Sequence, residues 1–387
     1  MSEINKKNCF ITKQIFDINN EYKLNIYNGD SLLLNISQVW DIEKFDIVIG
    51  NPPYQDSSGN KGKGHTLWDK FVKKFLNNDL KNNGYLVFVH PSLWRQIEHP
   101  LLELIKSKQI IYLEIHNVKD GLKTFQCSTR YDFYVIKNIK YHKNTIIKDE
   151  EGIINNIDLR EWNFIPNMKF ELLKNMCNHN IKCDIWRYRS LYSTENKKLV
   201  SKIQTNTFIY PLIYTINKNN QITFRYTNDN TKGIFNKSKF IFSNGAGFTC
   251  DPDGQYGLTE WAYCIYDNPE NLDKIMKCFR NNNFKKIIDA IHLDSASYNI
   301  KIMKLFKKDF YEEFQEDNLI EDDDKSISSK SSSKSSSSTK SLTKPQKQLK
   351  EDVILCGFPL KKKGETCKNK ANSECDGRCK RHFVLVV

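Results

Sequence analysis

Asn51-Pro52-Pro53-Tyr54 constrains this chain more than any other stretch, because of what precedes it. Phe45-Asp46-Ile47-Val48-Ile49-Gly50 is mostly apolar and β-branched and is stopped by glycine. That pattern predicts a buried parallel strand. The tetrapeptide then sits at the strand's carboxyl end, where open α/β sheets place their ligands. From residue 24 onward the coarse pattern is α/β. Strands are predicted over Leu24–Tyr27, Phe45–Gly50, Tyr85–His90, Ile110–Ile115 and Arg130–Ile136, and helices over about 66–80 and 97–107. Trp68, Phe71, Val72 and Phe75 fall at i, i+3, i+4 and i+7, one apolar stripe that reads mainly as packing.

The tetrapeptide suits a difficult nucleophile. An exocyclic amine on an aromatic base has its lone pair delocalised into the ring and attacks poorly. The side-chain carbonyl of Asn51 and the backbone carbonyl of Pro52 can each accept one of its N–H groups. Those bonds favour a more tetrahedral nitrogen and aim its lone pair. Proline fixes the backbone and removes competing donors. Tyr54 offers a flat face on which an extruded base can stack. The plain alternative is a Pro-Pro turn after a buried strand.

Asn51–Tyr54 matches the amino-methyltransferase motif, and its surroundings resemble the adenine-specific (N6) DNA methyltransferases of Type II restriction–modification systems. Upstream, Gly29-Asp30-Ser31-Leu32 stands where that family keeps an acidic residue for the adenine of S-adenosylmethionine. Downstream come Leu67–Phe71, Gly84–Val89 and His90–Arg95, which resemble the family's helix, next strand and Pro-x-x-Trp loop. Phe125 occupies the place of a second base-stacking aromatic. The resemblance covers residues 24–140. It implies a Rossmann-like α/β methyltransferase sheet, S-adenosylmethionine as cofactor and DNA as partner. For Asp30 the plain reading is a turn residue, for Phe125 a core aromatic, and Arg95 either contacts phosphate or caps a helix.

One departure stands out. The family has an earlier strand and a glycine-rich loop for the methionine end of the cofactor, but the first glycine here is Gly29. Cys9–Ile18 is the only earlier stretch that reads as a strand. The expected sheet is therefore incomplete at the amino terminus, leaving unpaired backbone groups and an exposed apolar edge. The chain is then a remnant of a longer gene, or is complemented by a second polypeptide that supplies the missing strands, or fills the slot in part with Cys9–Ile18.

The remaining organisation is read from composition. Residues 1–150 form the catalytic domain, and 151–315 a second, α+β domain resembling a DNA target-recognition domain. There Phe240–Gly247, Asp251–Gly257 and Trp261–Tyr266 read as a strand, a glycine-rich loop and a second strand, and no residue is assigned to a base. Residues 316–350 form an acidic, then Ser/Lys-rich linker that cannot offset the entropy of ordering. Residues 351–387 carry Cys356-x10-Cys367-x7-Cys375-x3-Cys379-x2-His382. Cysteine and histidine at that density predict a small zinc module, with Cys356, Cys367, Cys379 and His382 as favoured ligands and Cys375 as spare. The alternative is a tail with incidental thiols. Residues 325–387 hold 15 Lys/Arg against 5 Asp/Glu, which is +10 of the net +13, so the tail carries most of the attraction for a polyanion. Without a secretion pattern or an apolar run of membrane-spanning length, the eleven cysteines read as reduced thiols of an intracellular protein.

The reading that follows is a DNA adenine-N6 methyltransferase. Two rivals stay open. One is a catalytically degenerate DNA-binding remnant or partner-dependent subunit. The other is a protein-glutamine or ribosomal RNA amino-methyltransferase, which uses the same amide and amine logic.

Overall fold

A computed structural model describes residues 1–315, except 20, 22–23, 56–65, 178–179, 187–191, 232–233 and 294–297. The candidate zinc ligands and the linker lie outside the described residues.

The chain opens with a small unit: β1 (Ser2–Glu3), α1 (Lys6–Phe16) and β2 (Tyr27–Asn28), with β1 and β2 paired in parallel as a two-stranded sheet. This corrects two expectations. Cys9–Phe16 is helical and Ile18 lies in a turn, because Asn5 accepts a hydrogen bond from Lys7 N at 2.9 Å and so caps a helix start that outweighs the β-branched residues behind it. Leu24–Tyr27 yields a strand only at its last residue, since the partner it finds is the two-residue β1. Of α1, only Cys9 is buried, and Phe10, Ile15 and Phe16 are exposed.

The strands of the main sheet form where expected, but Phe45–Gly50, expected to be buried, is an edge strand in which only Val48 is buried, because no described strand pairs on its other side. After α2 (Ile36–Trp40) come β3 (Phe45–Gly50), α3 (Trp68–Lys74, running on as a π-helical turn Phe75–Asp79) and β4 (Leu80–Pro91). Then follow a 3-10 turn (Ser92–Arg95), α4 (Pro100–Lys106), β5 (Lys108–His116), α5 (Val118–Phe125), β6 (Tyr131–Lys140), β7 (Thr145–Lys148) and β8 (Ile154–Ile157). The strand order is β3-β4-β6-β5-β7-β8. β3 and β4 are parallel, and β6 runs antiparallel between β4 and β5, so the sheet is mixed.

The two faces of this sheet differ. One face, carrying Val48, Leu86, Phe88, Tyr134, Ile136 and Leu113, is buried beneath α3 and α4, whose Trp68, Val72, Leu101 and Ile105 join the same cluster. On the other face Val87, Phe133 and Val135 are half-buried and Ile146 is exposed. β3 is an edge strand, and on that same face Ile47 is 56% and Ile49 75% exposed. The parallel β3–β4 pair is of the kind normally covered on both faces. The open apolar edge expected from the sequence is therefore present.

Residues beyond 160 build two further four-stranded sheets flanked by helices. α6 (Phe170–Cys177), β9 (Ile185–Trp186), β10 (Val200–Ser201), β11 (Tyr210–Ile216) and β12 (Ile222–Thr227) come first. β13 (Lys239–Ser243), β14 (Phe248–Asp251), β15 (Gly257–Leu258), β16 (Ala262–Tyr266), α7 (Pro269–Arg280), α8 (Asn282–Ala290) and α9 (Ile300–Met303) follow. The sheet orders are β14-β13-β16-β9 and β10-β12-β11-β15. The glycine-rich stretch after β13 is a close-packing device, because a Cβ on Gly245 would lie 2.3 Å from Ile216 O and one on Gly247 2.0 Å from Asn217 O. One buried cluster runs from Val48 through Trp162 and Phe240 to Phe314. No described helix is long and apolar enough to cross a membrane.

Candidate active site

The carboxyl end of β3 delivers Asn51 directly into solvent. Gly50, the last strand residue, sits where a Cβ would press on the Phe88 ring at 3.1 Å, so the strand lies tight on β4 up to the point where the chain turns out. Asn51 is exposed, Pro52 buried and Pro53 exposed. Neither the Asn51 side chain nor the Pro52 carbonyl takes part in a hydrogen bond with a described residue, so both carbonyls can accept from a ligand amine. Tyr54 turns back toward the core, where its carbonyl accepts from Leu67 N at 3.3 Å and Gln55 bridges to Thr66. Those bonds fix the exit of the tetrapeptide to the start of α3.

Tyr54 is half-buried, and its hydroxyl is enclosed without a partner among the described residues. Burial pushes the phenol up to about 12, reinforced by Tyr131 and Cys127, so the ring is neutral across the physiological range. Phe125 meets it edge-to-face, with centroids 6.3 Å apart and planes at 76°. The structure thus brings together Asn51, Pro52, Pro53, Tyr54 and Phe125 from the predicted set.

Phe125 is placed by α5. Asn117 caps that helix, accepting from Lys119 N and Asp120 N, while Asp120 reaches back to Asn117 N, a complete capping box. Gln126 then adopts a left-handed conformation and ends it. Gly121 lies so near the chain entering β6 that a Cβ would sit 2.0 Å from Thr129 O. Behind Phe125 stands Tyr131, edge-on at 4.9 Å, which stacks on His116 at 4.3 Å and 9°. The sequence reading missed both. No local pattern signalled them, because His116 meets Tyr131 through the register of β5 against β6.

Arg95 is neither a phosphate contact nor a helix cap, which corrects both expectations for it. It is fully buried: Nε donates to Asp132 Oδ2 at 2.8 Å, Nη1 to Ile165 O at 2.9 Å and Nη2 to Asn167 Oδ1 at 2.8 Å. Trp94 Nε1 donates to the same Asp132 oxygen at 2.7 Å. The Pro-x-x-Trp loop is thereby clamped from inside. Burial nonetheless raises the Asp132 carboxyl above its ordinary value, with Arg95 and Trp94 pulling the other way. Beside it, His90 stacks on Trp68 at 4.5 Å.

Asp30 follows β2 in the amino-terminal unit. It is exposed, and its Oδ1 accepts from Leu32 N at 2.9 Å, the geometry of an Asx turn. No hydrogen bond or ion pair of the described residues joins it to Asn51–Tyr54. No group of three or more His, Cys, Asp or Glu placed to hold a metal occurs among the described residues. Cys356, Cys367, Cys379 and His382 are outside them.

Comparison with known proteins points the same way as the tetrapeptide. Residues 2–125 match the model of the Eco57I restriction-modification methylase family. Modification methylase CviBIII of Paramecium bursaria Chlorella virus NC1A is 34% identical over 128 residues, 30% of this chain and 31% of that protein. An uncharacterized adenine-specific methylase of Mycoplasma pneumoniae is 29% identical over 120 residues, 26% of this chain and 28% of that one. The chain spans under a third of the length of these curated relatives. Among solved structures, the Type IIL restriction-modification enzyme MmeI in complex with DNA is 14% identical over 70% of this chain and 48% of its own, with a TM-score of 0.40. The amino-terminal third resembles the methylases of restriction–modification systems.

Proposed function

We propose that this chain carries the catalytic motif of a DNA adenine-N6 methyltransferase. The observation that carries the reading is the free Asn51 amide at the carboxyl end of β3, with the Tyr54–Phe125 aromatic pair beside it. In this reading DNA presents an extruded adenine, and the two rings receive it by stacking. Asn51 Oδ1 and Pro52 O accept the two amine hydrogens and turn the nitrogen lone pair outward. The dry surroundings of the Tyr54 ring exclude water from one side of the base. S-adenosylmethionine, as methyl donor, would supply an electrophilic methyl group. No thiol is needed, in keeping with Cys183 and Cys264, whose pKa values burial pushes far up.

The described residues fit that donor only in part. Asp30 has one carboxylate oxygen without a described partner, suited to one end of the molecule. Gly29 is not an open cradle: a Cβ there would run into the Tyr27 ring at 2.7 Å. Supporting a partner-dependent form of the reading are the edge position of β3 and the exposure of Ile47 and Ile49. A second polypeptide contributing a parallel strand beside β3 would cover both and complete the cofactor site. The basic tail, with zinc held by Cys356, Cys367, Cys379 and His382, would add phosphate contacts.

The test is methyl transfer from labelled S-adenosylmethionine to unmodified DNA. Asn51→Ala should abolish it and leave DNA binding unchanged, and full activity in the variant overturns the reading. Calorimetry on the chain alone tests the partner. Losing two or three charged hydrogen bonds weakens binding by several orders of magnitude, so micromolar cofactor affinity without a partner would remove that part.

A further inference from the structure

We propose that Tyr131 is a positioning residue for the Tyr54–Phe125 pair, with His116 as its backing. The inference rests on the reading that this pair receives an adenine ring. Phe125 is the last residue of an eight-residue helix and is half-buried, so its own helix does not fix its ring. What holds it is Tyr131, whose ring abuts Phe125 at 4.9 Å and 81° while its hydroxyl lies 3.2 Å from Thr124 Oγ1, one residue back along the same helix. Tyr131 therefore grips α5 at two points.

Tyr131 is itself immobilised. It is the first residue of β6, nine-tenths buried, paired across the sheet with Pro91 on one side and His116 on the other. The His116 ring lies flat against it. His116 sits between two carboxylates, with Nε2 3.5 Å from Glu114 and Nδ1 3.6 Å from Asp120. Glu114 is in turn held by Tyr112 Oη at 2.9 Å and Lys148 Nζ at 3.0 Å, and Asp120 belongs to the capping box of α5. The chain of contacts thus runs from β7 through β5 and β6 to Phe125. A slot for a flat ring must be set before the ring arrives, because a displacement of an ångström costs as much as a missing group. Among the described residues the ring contacts of Phe125 are Tyr54 and Tyr131, and only Tyr131 is anchored in this way.

The test places 4-fluorophenylalanine at position 125 of the full chain and reads its fluorine resonance. The intact protein and Tyr131→Phe, which keeps the ring, should give one sharp line at nearly the same position. In Tyr131→Leu the line should move and broaden. Short single-stranded oligo(dA) should shift the line in the first two proteins and not in Tyr131→Leu. With duplex DNA, Tyr131→Leu should lower kcat by about ten- to a hundredfold with DNA affinity unchanged, and Tyr131→Phe should restore it. A line that stays put in folded Tyr131→Leu overturns the positioning role. A line that moves in Tyr131→Leu but answers oligo(dA) in no protein overturns the pair as a base slot. The proposed function then stands or falls separately, on methyl transfer by Asn51→Ala.

Discussion

Lowering the pH from neutrality drives a proton onto a buried ring that has no room for one. His90 is fully enclosed, and both of its nitrogens are engaged, Nδ1 at 2.9 Å from Pro91 O and Nε2 at 2.9 Å from Tyr134 Oη. A carbonyl only accepts, so Nδ1 carries the proton and Nε2 accepts from the tyrosine. Burial holds the imidazole at about 4 against an ordinary 6.5, with the Pro91 carbonyl opposing and His99 reinforcing the shift. The folded state thus binds this proton more weakly than the unfolded state. The stability contribution is complete above pH ~6.5 and is lost as the pH falls toward the folded pKa. In total it amounts to about 3 kcal/mol, of which about 2 kcal/mol is gone by pH ~5. His99 is also lowered by burial, so a comparison with a variant is needed. His90→Asn keeps a donor toward Pro91 O and cannot titrate. Urea unfolding at pH ~7.5 and ~5 should show the unaltered protein losing about 2 kcal/mol more than His90→Asn over that interval. Equal losses in the two would refute a dry, neutral His90.

Arg95→Met should destabilise by about 3–5 kcal/mol at neutral pH, because it leaves the Asp132 carboxylate buried without its cation. The deficit should shrink in Arg95→Met/Asp132→Asn and, in the single variant, at acid pH where Asp132 takes up a proton, all measured by urea unfolding. Gly121→Ala should cost about 1–3 kcal/mol by forcing α5 away from Thr129 O. It should also displace the fluorine resonance at position 125, whereas an alanine at the neighbouring exposed Lys123 should do neither.

The parts legible in the sequence were those with strong local periodicity. Phe45–Gly50 is a mostly apolar, β-branched run shortly before two prolines, and nothing local competes with a strand there, although its exposure on the edge was not legible. The stripe from Trp68 to Phe75 has one possible partner, the buried face of the sheet, and lies on it. Phe125 was placed beside Tyr54 through the family resemblance, and periodicity carried no sign of it. The misses have a common cause in long-range contacts. Arg95 is four residues from Pro91 in a short loop, and Asp132, Ile165 and Asn167, up to 72 positions away, make it a core residue. The stretch Cys9–Ile18 has the composition of a strand, but one side-chain cap decided for helix. Tyr131 and His116 were invisible because their meeting depends on the register of β5 against β6, which no single strand encodes.

The two prolines after β3 have a second consequence. An uncovered edge strand with Ile47 and Ile49 beside it would ordinarily invite another chain to zip onto it. Pro52 and Pro53 have no amide hydrogens to offer such a guest, so pairing along this edge can run the six residues of β3 and must stop there. The residues proposed to frame the amine would also act as a terminus for strand addition. Whatever docks along the edge is halted one residue short of Pro52, with the Asn51 side chain left at the boundary, open to a ligand.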